Sequence, residues 1–128
     1  MTDHPRTGFG EYIGIRVIRA DKDKIVAELD ADTRHVNGRG IVHGGAMMAF
    51  ADDLGGLAAS FHKVPGTYTS TIESKTNFFR ACAPGKLTAE SVPLHTGRRS
   101  IVIQTTIYTP DGKRAAMVTQ TQLVLPRE

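Results

Sequence analysis

Two groups of residues in this 128-residue chain have the composition of reaction chemistry: His43-Gly44-Gly45 and the acid pair Asp52-Asp53. Both lie in one stretch, NGRGIVHGGAMMAFADDLGGLAASF, from Asn37 to Phe61. Consecutive glycines at the start of a helix cost about 1 kcal/mol each relative to Ala. They are useful where something must approach the backbone closely. A helix start presents unpaired N–H groups and the positive end of the peptide dipoles. An ester or thioester carbonyl aimed at such an N–H would have its developing oxyanion stabilised. The plainer reading, equally open from spacing alone, is that Gly38, Gly40, Gly44 and Gly45 turn the loop and let the helix pack. Asp52 follows His43 by nine residues, about two and a half turns of helix. A carboxylate on a buried helix is costly unless it is hydrogen-bonded or used. If hydroxyl or amide donors keep it ionised, it can serve as general base or nucleophile. For Asp53 an exposed position or a structural ion pair is favoured. For Asp52 the neighbours Met48, Gly55, Gly56 and Ala59 favour a site. His43, at a helix start, suits a neutral orienting role or a cap.

These groups need a helix to carry them. Between His43 and Phe61 there is no Lys, Arg, Pro or Glu, and apolar residues at 47, 50, 51, 54, 58 and 61 follow helical spacing. The stretch is long enough to span a membrane, but two adjacent acids and four glycines argue instead for a buried central helix. Pro65-Gly66 stops it. Upstream, residues 1 to 8 read as a loose arm, and the domain is expected over 11–128 after an arm over 1–10. Tyr12–Ala20 and Lys24–Asp30 read as a strand hairpin across the charged turn Asp21-Lys22-Asp23-Lys24.

Downstream the period changes to two. Strands are expected over Thr69–Phe79, Leu87–His95, Ser100–Thr109 and Ala115–Leu125, with Pro93 marking an edge or a bulge. Ile101, Ile103 and Ile107 share one face, and Met117, Leu123 and Leu125 share a parity. The short turns between these runs predict a meander of the last four strands, antiparallel because a parallel pair needs a crossover of roughly a dozen residues. The expected fold class is α+β: five or six antiparallel strands curled round one long helix. The small-residue face at 45, 49, 52, 55, 56 and 59 would still lack cover, which predicts a symmetric dimer.

Composition narrows the function classes. A net charge of +3 is too weak a bias to argue for nucleic acid. The single Cys82 excludes an intrachain disulfide and fits a reducing, cytosolic compartment. The polar start, MTDHPRTGFGEY, has no apolar leader. His4, His35, His62 and His95 have no partners at metal-ligand spacing, and no metal or redox cofactor is expected. No nucleophile elbow or phosphate loop occurs. Arg98-Arg99, in a turn, could clamp phosphates but reads more simply as a solvated hairpin tip.

The pattern N-x5-HGG-x6-D from Asn37 to Asp52, with Gly56 and TIESKTNFFRACAPGKLTAES from Thr71, resembles the hotdog-fold acyl-CoA thioesterases of the PaaI-like group. The resemblance covers about Tyr12 to Leu125. It implies a sheet wrapped round the helix, a homodimer that often pairs again into a tetramer, and active sites between subunits. One chain would supply Asn37, His43 and Gly44; the other would supply Asp52 and a hydroxyl falling best on Thr71, with Thr69 and Ser70 close by. The Gly44 N–H would polarise the thioester carbonyl, Asn37 would hold the carbonyl or water, His43 would orient the group, and Asp52 would activate water or attack. Coenzyme A would run near Arg80 and Arg98-Arg99. The other readings to be separated are a non-catalytic acyl-CoA-binding hotdog module and a hotdog hydratase or dehydratase.

Overall fold

The computed structural model describes residues 4–127. In chain order these form α1 (Gly8–Ile13), β1 (Ile15–Ala20), β2 (Ile25–Ala31), α2 (Gly44–Ser60), β3 (Thr67–Phe78), β4 (Gly85–Thr96), β5 (Ser100–Tyr108) and β6 (Arg114–Pro126). The six strands make one antiparallel sheet in the order β1-β2-β4-β5-β6-β3, and α2 packs across its inner face. The period-two pattern sets that face directly: Ile25, Ala27 and Leu29 from β2, Leu87 and Ala89 from β4, and Ile101, Ile103 and Ile107 from β5 are buried. They meet Phe50, Ala51, Leu54 and Ala58, which the 3.6-residue period places on the underside of α2. Each large side chain removed from water here contributes about 1.5–3 kcal/mol. The buried hydroxyls Ser91 and Thr105, directly opposite each other on β4 and β5, satisfy one another at 2.7 Å.

The sheet differs from the expected meander at one strand. Only β4, β5 and β6 follow one another in space; β3 lies outside β6, and β2 takes the place beside β4. Three strand spacings, roughly 14 Å, separate β3 from β4. The connection at 79–84 spans this in extended form, since six residues reach about 20 Å. Short links in sequence therefore do not require hairpin pairing. The other edge of β3, twelve residues long, pairs with no strand among the described residues.

Pro93 sits in a central strand and breaks nothing. The β2–β4 pairing ends at Ser91, and β4 shifts register against β5 between Pro93 and His95. The start of the chain also differs. The expected strand from Tyr12 gives way to the helical turn α1, which is closed by Gly14 at φ +91°, and β1 begins only at Ile15; residues 4–7 of the expected arm carry no regular structure. Tertiary anchors decide this: Ile13 enters the core, and Gly10 lies so close to α2 that a Cβ would sit 2.7 Å from the Asp53 carboxylate. Residues 1–3 of the expected arm lie outside the described residues.

Candidate active site

The loop before α2 is built around a buried histidine. His35 is 3 % exposed; its Nε2 donates to the Ile13 carbonyl at 2.7 Å, and its Nδ1 accepts from the Asp32 N–H at 3.0 Å. Two backbone bonds tie the loop further: the His43 N–H to the His35 carbonyl and the Val42 N–H to the Cys82 carbonyl, both 2.8 Å. Asp32 accepts from the Arg34 N–H and side chain, and the Arg34 guanidinium beside it holds the carboxyl down to about 2. Asn37 turns the chain by accepting the Arg39 N–H on Oδ1 at 2.9 Å.

At the start of α2 His43 is the cap. Its Nδ1 accepts the Gly45 N–H at 2.8 Å, so that nitrogen carries no proton. Gly45 is required by this cap, because a Cβ there would lie 2.9 Å from the same Nδ1. The Ala46 and Met47 N–H groups bond to the His43 carbonyl, while the Gly44 N–H has no acceptor among the described residues. Gly44 opens on a groove shared with Asn37, Arg39, Met47, Phe79 and Arg80, and the Phe78 ring lies 3.1 Å from where its Cβ would be. Phe78 and Phe79 are half-exposed, and the Arg114 guanidinium covers Phe79. Cys82 also borders this groove, but burial pushes its thiol up and keeps it protonated.

Asp52 lies elsewhere. Nine residues at 1.5 Å each carry it roughly 13 Å along the helix from His43, so the two cannot meet within one chain. It is exposed in the isolated chain, not buried as its helix suggests, and it opens on a second cleft with Arg6, Asp53, Gly56, Thr69, Ser70, Thr71 and Gln122. The donors it needs are present: the Thr71 hydroxyl donates to Asp52 Oδ1 at 2.9 Å and the Gln120 amide to the same oxygen at 3.3 Å. Of the three candidate hydroxyls, Thr71 is the one that bonds to the carboxylate, directly before the register shift between Thr71 and Glu73. Asp53 instead pairs with Arg6 at 2.7 Å, the structural ion pair favoured for it.

Two expectations change. Arg80 borders the Gly44 groove, but Arg98 and Arg99 lie at the other end of β3, beside Thr67 and Pro126, so the three do not form one cluster within the chain. Within the small-residue face, Gly55 and Ala59 are already buried inside the chain, Ala49 and Gly56 are half-buried, and Gly45 and Asp52 are exposed. Of the apolar residues beside the site, Phe50 is wholly core, whereas Met47, Phe78 and Phe79 do line the groove.

Sequence reasoning missed Gln120 and Gln122. On β6 the inward parity is Ala116, Val118, Gln120 and Gln122, while Met117, Leu123 and Leu125 face the half-covered outer side. Gln120 is fully buried and its Oε1 has no partner, a cost of about 1–3 kcal/mol. Gly55 makes room for it: a Cβ there would come within 2.2 Å of the Gln120 amide. A glycine inside a helix costs a further ~1 kcal/mol.

Comparison with known proteins fits this geometry. The thioesterase superfamily pattern matches residues 39–116. The proofreading thioesterase EntH of Cronobacter turicensis is 33 % identical over 104 residues, 81 % of this chain and 76 % of that protein. Thioesterase HI1161 from Haemophilus influenzae superposes with a TM-score of 0.86 at 29 % identity, covering 91 % of this chain and 82 % of that one. A mutant of thioesterase PA1618 from Pseudomonas aeruginosa gives 0.87 at 28 % identity, covering 92 % and 86 %. The antiparallel sheet wrapped on its helix is the hotdog fold. The chain belongs to the thioesterase superfamily, and its activity is that of a thioester hydrolase.

Proposed function

We propose that the protein hydrolyses acyl-CoA thioesters at sites shared between two copies of the chain. The observation that carries this reading is the division of the chemistry along α2: a free Gly44 N–H at its start, and roughly 13 Å away a carboxylate held by two donors. A second copy brings the halves together. The unpaired edge of β3 supports this, since a long open edge is a template for another strand. Antiparallel pairing of two such edges runs the Thr71 end of one strand toward the Phe78 end of the other, the end whose ring lies against Gly44. A dimer of dimers is the assembly the family resemblance implies.

In the shared site the Gly44 N–H binds the thioester carbonyl oxygen, and Asn37, whose Nδ2 has no partner among the described residues, holds the carbonyl or the water. Asp52 takes the proton of the attacking water, or itself adds to the carbonyl carbon. The tetrahedral oxyanion forms against the helix start, and collapse expels the coenzyme A thiolate. The water route leaves the free acid directly, whereas attack by Asp52 leaves a mixed anhydride that a water then hydrolyses to the free acid and Asp52. His43, fixed as the cap, orients Gly45 and Gly44. Arg80, at the mouth of the groove, is placed to meet the phosphates of coenzyme A. Arg98 and Arg99 can serve that role only through another copy.

Release of free thiol from a panel of aromatic and aliphatic acyl-CoAs tests this. Turnover by the wild-type chain, lost in Asp52→Asn with the oligomer intact, is the expected result. Binding of acyl-CoA without thiol release would show a binding module, and a change in double-bond absorbance would show a hydratase.

A further inference from the structure

We infer that Gln122 and Gln120 are positioning residues that aim the Asp52 carboxylate: Gln122 acts through the Thr71 hydroxyl, and Gln120 acts directly. The inference rests on the reading of Asp52 as the reacting acid. The Gln122 amide donates to Thr71 Oγ1 at 2.6 Å, and Thr71 Oγ1 lies 2.9 Å from Asp52 Oδ1. A hydroxyl has one proton. With Gln122 filling an acceptor site on Oγ1, that proton is directed at Asp52. The Gln120 amide donates to the same Oδ1 at 3.3 Å. Both donors therefore converge on one carboxylate oxygen, and Oδ2 keeps no hydrogen bond among the described residues. Oδ2 is the oxygen left free for the water proton or the thioester carbon.

The surroundings of the two glutamines point the same way. Both are buried, at 0 % and 2 % exposure, on the inward parity of β6 where apolar residues would serve the core better. Gln120 keeps its Oε1 buried and unpartnered; turning the amide over would set that oxygen against the Asp52 carboxylate. Gly55 lacks a side chain where one would strike this amide. A core built only for stability has no use for this combination. Both glutamines lie beyond the span 39–116 matched by the superfamily pattern, whereas Gly44 and Asp52 of this chain fall inside it.

The test is a double-mutant cycle on the purified protein, with benzoyl-CoA and hexanoyl-CoA as probes. Gln122→Met and Thr71→Val should each lower kcat roughly 10-fold, a fraction of what a general base is worth, with KM within about 2-fold. Combined, they should fall no further than Thr71→Val alone, because Gln122 acts through that hydroxyl. Thr71→Ser should restore most of kcat. If Gln122→Met does not fold, Gln122→Glu keeps the packing but turns the Thr71 proton away from Asp52, and should lower kcat at least as much. For the direct contact, Gln120→Leu should lower kcat by a similar factor, and Gly55→Ala should do the same by displacing the amide.

Additive losses in the cycle, or a fall in melting temperature and a rise in KM with kcat unchanged, would overturn the inference. The two readings fail separately. Full activity in Asp52→Asn, or no turnover of either probe by the wild-type protein, removes the assignment of Asp52 and this inference with it. An inactive Asp52→Asn with an additive Gln122–Thr71 pair removes only the inference.

Discussion

The two clefts along α2 are opposites in construction. The groove at the helix start offers a donor from the backbone, Gly44 N–H, between half-exposed aromatic rings, and its geometry is set by a loop pinned through His35. The cleft at mid-helix offers an acceptor from a side chain, Asp52, among polar residues, and its geometry is set by amides from the inner face of β6. One has what an oxyanion needs and the other has what an attacking water needs. The helix holds the two clefts roughly 13 Å apart, so on the proposed reading one chain cannot use both at once.

Mutations that strike one cleft and spare the other sharpen that contrast. Asp52→Asn should lower kcat by about 10³-fold or more, within the range expected for a lost general base. Asp53→Asn, which only releases Arg6, should leave kcat within about 2-fold and cost less than about 1 kcal/mol of stability, as partly exposed pairs do. Steady-state kinetics of the two neighbours side by side checks which acid reacts. At the other cleft, His35→Ala strands the Ile13 carbonyl and the Asp32 N–H in the interior. It should cost about 2–3 kcal/mol in chemical denaturation and lower activity through the displaced Asn37–His43 loop.

Smaller effects follow at the cap and the turn. Gly45→Ala drives a methyl into His43 Nδ1 and should cost about 1 kcal/mol, the worth of an N-cap, read from the midpoint of thermal unfolding. Asp32, held near 2 against an ordinary 3.8, contributes stability that is complete above its unfolded value and is lost as pH falls toward 2. An acid titration of Asp32→Asn should therefore show a shallower fall between pH 4 and 2 than wild type.

Much of this was legible in the amino-acid order because it is local. The 3.6-residue run fixed α2, the glycines and His43 marked its start, and the spacing to Asp52 separated it from Asp53. What was not legible depends on partners distant in sequence. The place of β3 beside β6 is decided by a chain crossing that short turns do not reveal. The helix α1 exists because Ile13 and Gly10 find sites on the rest of the fold. On β6 the apolar parity of Met117, Leu123 and Leu125 is the outer one, since Gln120 and Gln122 occupy the inner face against Asp52 and Thr71. Hydrophobic patterning failed at the strand positions where polar residues face the candidate site.

Subunit complementation tests the shared site most directly. Asn37→Ala damages one half and Asp52→Asn the other, and each pure variant should be nearly inactive. Mixed and exchanged, with the hybrid confirmed by differential tags, they should regain roughly a quarter of wild-type turnover, since half the dimers are hybrids carrying one intact site of two. Verified hybrids with no recovered thiol release would contradict a site built from two chains.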